Sequence, residues 1–303
     1  MALAGDLEIG DQQFVGIISI LDLVAHVFRH SLGADGTAYR ALETPVWRTL
    51  GSTNESLSLW AEQAGQNLPS ALAPFARGVH RAIIIPRVGE STKLLTQTDV
   101  LNYLLSARST SAELGRVLDS SLRQLGIKAL GPGEKALVTC TPDSSLVDAV
   151  GAMLQRNVHA LAVVNDHGLL LSTFSVSDLR GLDAEQLVSI VDISVGEFLL
   201  KQSARAPAAS SDWSRLTTHD ASTMTGYVLP PPLTCRLDGN LGEIADLMLR
   251  HNVHRTWLVG NAANDDTAGS PLSGHGFPIG VVSYTDVIRI VYDVTYRPPA
   301  GTE

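Results

Sequence analysis

Four copies of a serine or threonine followed three residues later by an aspartate stand in register along the chain. An aspartate at the turn from a strand into a helix can accept hydrogen bonds from both hydroxyls of a ribose, and the neighbouring hydroxyl adds a small donor. The same pattern can instead be a plain helix cap, which is the commoner use of a single copy. Because four copies stand in register, we interpret them as ribose-binding positions at some of the repeats. The pairs are Ser19 and Asp22, Thr96 and Asp99, Ser175 and Asp178, and Ser283 and Asp286.

A second recurring pattern places basic side chains at the head of an apolar strand. Val-His-Arg occurs at residues 79–81 and again at 253–255, so it contains His80-Arg81 and His254-Arg255. His159 also follows a valine, but no arginine comes after it. Arginine offers a forked donor that suits phosphate oxygens, so these positions are candidates for the phosphate side of a nucleotide site. The alternative is a solvated strand end, and for the lone His159 that alternative is the plainer interpretation. The apolar strands between the two patterns would form a slot for adenine.

The spacing of these patterns indicates an internal repeat. The aspartate recurs after 77, 79 and 108 residues, and two polar insertions, at Lys201–Pro232 and Asn261–Gly276, account for the longer last interval. Each unit reads strand, helix, strand, strand, helix over roughly 60 residues, which is too few to bury both faces of a sheet. We therefore expect the units to pair, sheet against sheet. Within this pattern we predict a buried strand from Phe14 to Ile20 and a short helical piece from Ser120 to Gly126.

Composition excludes several classes of function. The 303 residues are 45% hydrophobic and carry a net charge of −9, which argues against nucleic acid as a partner. Cys140 and Cys235 are expected to be reduced core residues. No metal-ligand spacing, nucleophile elbow or glycine-rich phosphate loop is present, so we predict no catalytic residue, no metal, no cofactor and no enzyme activity. The N-terminal sequence predicts neither signal peptide nor membrane span, and we expect a cytoplasmic or nuclear protein.

The repeats resemble cystathionine-β-synthase (CBS) domains, and their order resembles the gamma subunit of AMP-activated protein kinase, the SNF1-type energy sensor. Val79-His-Arg81 and Val253-His-Arg255 resemble the basic pairs of the second and fourth repeats of that subunit. The run from Asn157 to Asn165 resembles its third repeat. The segments 121–127 and 191–196 resemble the linkers before the third and fourth repeats.

This resemblance implies an α/β (α+β) fold of tandem βαββα repeats paired into two Bateman modules, each a pair of CBS repeats. We expect a first module at residues 1–123 and a second at 124–303. Residues 1–40 would be a partial first repeat whose opening strands lie upstream of Met1. The remaining expected parts are the second repeat at 41–123, the third at 124–200, a flexible insertion at 201–232 and the fourth repeat at 233–303.

The resemblance also implies which residues share a site, because in the family the aspartate of one repeat works with the basic strand of its partner. That rule combines Asp22 with His80 and Arg81, Asp178 with His254 and Arg255, and Asp286 with the strand around His159. Asp99 would need a basic strand that the first repeat lacks, and it stands where the gamma subunit tends to carry a basic residue. His159 stands where the family usually has a small residue.

The function that follows is an adenine-nucleotide-binding regulatory subunit or module. Its regulatory ligand would be AMP, ADP or ATP, and protein kinase catalytic and scaffold subunits are the candidate partners. The alternative is a CBS scaffold without ligand binding that acts only as a protein-interaction module.

Overall fold

A computed structural model describes most of the chain. The described residues are 7–9, 12–14, 16–31, 43–53, 56, 60–87, 90–128, 137–183, 186, 193–205, 229–260 and 276–296. The strands are β1 Leu7–Ile9, β2 Gln12–Phe14, β3 Trp60–Gln63, β4 Arg81–Ile85, β5 Lys93–Thr96, β6 Thr139–Cys140, β7 Ala160–Val164, β8 Leu170–Ser175, β9 Thr234–Cys235, β10 Arg255–Gly260 and β11 Phe277–Ser283. The helices are α1 Ile20–Ser31, α2 Leu68–Ala76, α3 Gln97–Ser106, α4 Ala112–Asp119, α5 Leu146–Arg156, α6 Val195–Arg205, α7 Leu241–Arg250 and α8 Tyr284–Thr295, with 3-10 turns at Val46–Thr49, Ala107–Ser109 and Val176–Leu179.

The same small sheet is built three times. The sheets have the orders β3-β4-β5, β6-β7-β8 and β11-β10-β9. In each, the first strand runs parallel to the second and the third runs antiparallel to it. The parallel pair requires a crossover, and the crossover helices are α2, α5 and α7. The strand, helix, strand, strand order predicted for a repeat is therefore present at the second, third and fourth positions.

The turn from each crossover helix into its second strand has one geometry. Gly78, Asn157 and Asn252 adopt positive φ angles of 98°, 51° and 51°. The valine that follows donates its amide to a carbonyl five residues back, as in Val253 N to Met248 O at 3.0 Å. These are the bonds of a Schellman helix end, which favours glycine or asparagine at the left-handed position. Each turn delivers the next residue, a histidine, to the head of the strand.

Sheets from neighbouring repeats face each other. Small residues of β7 and β8 pack against Trp257 and Val259 of β10 in a buried cluster. The indole Nε1 of Trp257 donates to the hydroxyl of Thr173 on β8 at 2.7 Å. A smaller cluster joins Ile83 of β4 to Ile17, which precedes α1. The expectation that third and fourth units meet sheet to sheet agrees with these contacts.

The helical layers make the larger cores and connect repeats that are not neighbours in sequence. One core combines residues 72–122 of the second repeat with residues 233–291 of the fourth. Another combines α1 with buried residues of the third repeat, among them Cys140 and Leu199, and with Leu229. Gly242 of α7 lies so close to α4 that an added Cβ would be 3.0 Å from the carbonyl oxygen of Leu118.

Some local predictions are wrong. The segment after Phe14 is extended but lies outside a sheet, because its described residues 16–19 lead directly into α1 and the strand ladder ends at Phe14. Residues 122–126 form a turn, and the helix of that region is α4, which lies earlier. Helix α6 continues through Arg205 into the segment predicted to be a flexible insertion. The rest of that insertion up to residue 228, and most of the Asn261–Gly276 loop, lie outside the described residues.

Candidate nucleotide site

The four Ser/Thr and Asp pairs share one local geometry. In each pair the backbone amide and the hydroxyl of the serine or threonine donate to Oδ2 of the aspartate at 2.6–2.9 Å. The capping interpretation is thus correct for all of them, and the cap uses one carboxylate oxygen. Oδ1 is the oxygen that a ribose hydroxyl could reach, so a cap and a ligand contact are compatible on the same side chain.

The four aspartates differ in their access to solvent. Asp99 is exposed, and Asp178 and Asp286 are half-buried. Asp286 Oδ1 also accepts from the guanidinium of Arg289 at 3.3 Å. Asp22 is fully buried, and its Oδ1 accepts from Thr53 and Ser56. Both carboxylate oxygens of Asp22 are therefore engaged within the chain, and the expected use of Ser19 and Asp22 as a ribose position stays a prediction.

Two of the aspartate motifs stand side by side. Gln97 lies within the Thr96-to-Asp99 motif. Its side-chain Nε2 donates to the hydroxyl of Thr285 at 2.8 Å and to the carbonyl of Val79 at 3.2 Å. Thr285 belongs to the motif of the fourth repeat, and Val79 precedes His80. The helix starts of the second and fourth repeats are thus tied to the head of a basic strand.

The basic strand heads of three repeats converge. The rings of His80 and His159 lie 5.2 Å apart in an edge-to-face arrangement. His254 stacks edge-on against the ring of Tyr284 at 5.1 Å. Besides burial, the groups that act on the pKa of His254 come from the second, third and fourth repeats, and they are Arg180, Arg255, His80 and Arg81.

Burial dominates the ionisation of this cluster. It lowers the pKa of His254 to about 4, and the surrounding cations add to that shift. It also lowers the pKa of Arg255 to about 10, against the charges of Asp178 and Asp286. Burial raises the pKa of Asp178, although hydrogen bonds from Ser175 and the charges of Arg255 and Arg180 act in the opposite direction. A half-buried site with this excess of cations favours an anionic ligand.

The structure brings the predicted residues together differently from the pairing rule. Asp178 lies within electrostatic reach of Arg255, as expected, but Arg255 also interacts with Asp286. His80 meets His159, which was expected to serve the site of Asp286. The basic residues predicted for the sites of different repeats therefore lie in one group. We call this group, which consists of His80, Arg81, His159, His254 and Arg255, the basic centre. The use of any of these residues in ligand binding stays a prediction.

Arg180 is a residue that the sequence did not single out. It lies two positions after Asp178, and its charge acts on both Asp178 and His254. Its motif position carries a basic residue only in this repeat, so the repeat pattern gave no signal for it. Only the folded arrangement shows that its charge acts on both sides of the candidate site.

Across the described ranges there is no group of three or more His, Cys, Asp or Glu side chains placed to hold a metal ion. Cys140 and Cys235 are buried, and burial raises the pKa of each thiol to about 12. Their placement agrees with core residues. No helix in the described part of the chain is long and apolar enough to cross a membrane.

Comparison with known proteins identifies the repeats. The family model of the CBS domain matches residues 134–185 and 225–293. These two segments are similar to the CBS domain. They contain Asp178 and His159 in the first match and His254, Arg255 and Asp286 in the second.

Relatives align with nearly the whole chain. The chain is 24% identical to the SNF1-related protein kinase regulatory subunit gamma-like PV42b of Arabidopsis thaliana, over 92% of this chain and 76% of that protein. It is 24% identical to the bovine 5'-AMP-activated protein kinase subunit gamma-3, over 96% of this chain and 51% of that one. The expected resemblance to gamma subunits is confirmed.

A solved structure shows the same fold. A protein of Methanocaldococcus jannaschii, described as a candidate archaeal homologue of gamma-AMPK, superposes with a TM-score of 0.60 at 16% identity. The match covers 92% of this chain and 84% of that one. The fold is therefore that of tandem CBS repeats, as predicted, while the module boundaries at residues 123 and 124 stay a prediction.

Proposed function

We propose that this chain is a regulatory module that binds an adenine nucleotide, AMP, ADP or ATP, and biases the activity of a partner such as a protein kinase. The observation that carries the proposal is the position of Asp178 beside Arg255 and Arg180, at the centre where basic strand heads converge. A carboxylate next to clustered cations supplies the acceptor for a ribose and the donors for phosphates. The gamma subunits among the relatives support a regulatory role.

The basic residues of this site contrast with the negative net charge of the chain. The chain carries 31 acidic and 22 basic side chains, so anions are repelled by the molecule as a whole. Arg81, Arg180 and Arg255 come from three repeats, and a ligand anion would add to Asp178 and Asp286 in offsetting their mutual repulsion. A phosphate group would do so.

Isothermal titration of the purified chain with AMP, ADP and ATP tests the proposal. We expect binding, and we expect Asp178→Asn and Arg255→Gln each to weaken it about 10-fold or more, because each removes a charged hydrogen-bonding partner. The 2'-deoxy form of the nucleotide should bind more weakly than the ribonucleotide, since it lacks one donor to Asp178.

Matched charge changes outside the site provide the control. Asp246→Asn and Arg250→Gln alter an exposed ion pair on α7 and should leave the affinity unchanged. The proposal is wrong if no adenine nucleotide binds at millimolar concentration. A chain that folds normally but releases no heat would be a CBS scaffold that acts only through protein contacts.

A further inference from the structure

The first repeat differs from the others at the outer oxygen of its aspartate. Oδ1 of Asp22 accepts from the amide of Thr53 at 3.0 Å, from the hydroxyl of Thr53 at 2.6 Å and from the hydroxyl of Ser56 at 2.7 Å. Oδ2 is held by Ser19 in the usual capping box geometry. Both oxygens are thus engaged by neutral donors of the chain itself.

Two hydroxyls that donate to one carboxylate reproduce the contact a ribose would make through its own pair of hydroxyls. We propose that Thr53 and Ser56 form an intramolecular cap, which occupies the ribose position of the first repeat in place of a nucleotide. Thr53 and Ser56, near the start of the second repeat, are thereby held where a ligand would otherwise lie. The inference rests on the proposed function only in assigning a ribose position to this motif.

Burial and the local bonding of the cap support this assignment. Asp22 is 0% exposed and Ser56 is 1% exposed. The Ser56 hydroxyl accepts from the amide of Gly51 at 2.9 Å and lies 3.0 Å from the carbonyl oxygen of Thr53, so it closes a compact turn. A buried carboxylate is stable only when its oxygens are hydrogen-bonded, and this turn supplies those bonds.

A second anchor holds the same segment to α1. The guanidinium of Arg29, nearly two turns after Asp22, donates to the carbonyl of Ser52 at 2.8 Å. The basic strand expected to complete a nucleotide site here is engaged at the basic centre, where the ring of His80 meets that of His159. In the first repeat the carboxylate of Asp22 is therefore fully hydrogen-bonded within the chain. His80, which was expected to supply a phosphate donor there, contacts the third repeat instead.

A double-mutant cycle on stability tests the cap. Asp22→Asn and Ser56→Ala should each lower the Tm by about 3 °C or more, because each leaves buried polar atoms without their partners. The double variant should lose clearly less than the sum of the two, since both changes break one interaction. Asp99→Asn, which alters an exposed capping aspartate, should lower the Tm less. Additive losses in the cycle would overturn the cap.

Nucleotide stoichiometry provides the second measurement. By equilibrium dialysis with labelled AMP, Asp22→Asn should bind as many nucleotides as the unmodified chain with the same affinity, whereas Asp178→Asn should bind less. A loss of one bound nucleotide in Asp22→Asn would overturn the proposal. If the unmodified chain binds no AMP, the dialysis is repeated with ADP and ATP. If none of the three binds, the proposed function fails, and the stability cycle alone decides whether the cap exists.

Discussion

His254 is held in its neutral form by its surroundings. Its ring is half-buried against Tyr284, and the nearest charged groups of the same strand and of the second and third repeats are cationic. The acidic groups of this centre, Asp178 and Asp286, interact with Arg255. Burial and these cations lower the pKa of His254 to about 4, well below that of an exposed histidine near 6.5.

This lowered pKa predicts loss of stability in mild acid. As the pH falls below about 6.5, the unfolded chain takes up a proton at this histidine while the folded chain does not, so unfolding is favoured until the pH reaches the folded-state pKa. His254 alone should reduce the free energy of unfolding by about 2 kcal/mol between pH 6.5 and 4, after allowance for its partial exposure. Urea titrations across that range measure the effect.

The comparison that isolates His254 uses two variants. His254→Gln should flatten the pH dependence of stability, because glutamine does not titrate. His167→Gln changes a histidine in the exposed turn between β7 and β8, and the pH dependence should stay as in the unmodified chain. An unchanged slope in His254→Gln would show that other groups cause the acid sensitivity.

At the scale of the element, the helix-to-strand turn sets the direction of each basic strand. The three equivalent turns use Gly78, Asn157 and Asn252, the residue types that best accept a positive φ angle. In each case the next valine completes the Schellman bonds and the histidine follows it. A change in this turn alters helix, strand and candidate site together.

Replacement of Asn252 tests the requirement for the left-handed conformation. Asn252→Val should lower the free energy of unfolding by about 1–2 kcal/mol, because a β-branched side chain clashes with the backbone at positive φ. Asn252→Gly should be within about 0.5 kcal/mol of the unmodified chain, because glycine adopts this angle without a clash. Denaturant titration of the purified variants measures both.

A matched asparagine serves as control. Asn102 lies on the exposed side of α3, and Asn102→Val should change the stability by only a few tenths of a kcal/mol, because the two residues have similar helix propensity. Equal losses for valine at positions 102 and 252 would contradict a special role of the turn.

Local patterns in the sequence predict these elements well, and they predict contacts between elements poorly. The recurring Ser/Thr and Asp pairs and the basic strand heads predict the strand, helix, strand, strand order of the second, third and fourth repeats. The hydrogen bond from the Ser56 hydroxyl to Asp22 joins residues 34 positions apart in the chain, and no periodicity encodes it. The position of Arg180 between Asp178 and His254 likewise depends on how the repeats pack.

At the scale of the whole molecule, the largest core belongs to no single repeat. Leu118 of α4, in the second repeat, is 0% exposed and lies against Gly242 of α7, in the fourth. The same buried cluster extends to Val287 and Val291 of α8. Because these side chains share one core, the second and fourth repeats should lose their structure together.

Leu118→Ala tests this shared stability. The change removes a fully buried side chain and should lower the free energy of unfolding by about 2–5 kcal/mol. Hydrogen exchange followed by mass spectrometry should then show faster exchange in β9–β11, α7 and α8 as well as in α2–α4, because amides that exchange through a common unfolding step share its free energy. Leu94→Ala, at a side chain that is 53% exposed, should leave exchange in both repeats nearly unchanged. Acceleration confined to residues 60–122 would mean that the fourth repeat is stable without the second, and the shared core would then be only a surface of contact.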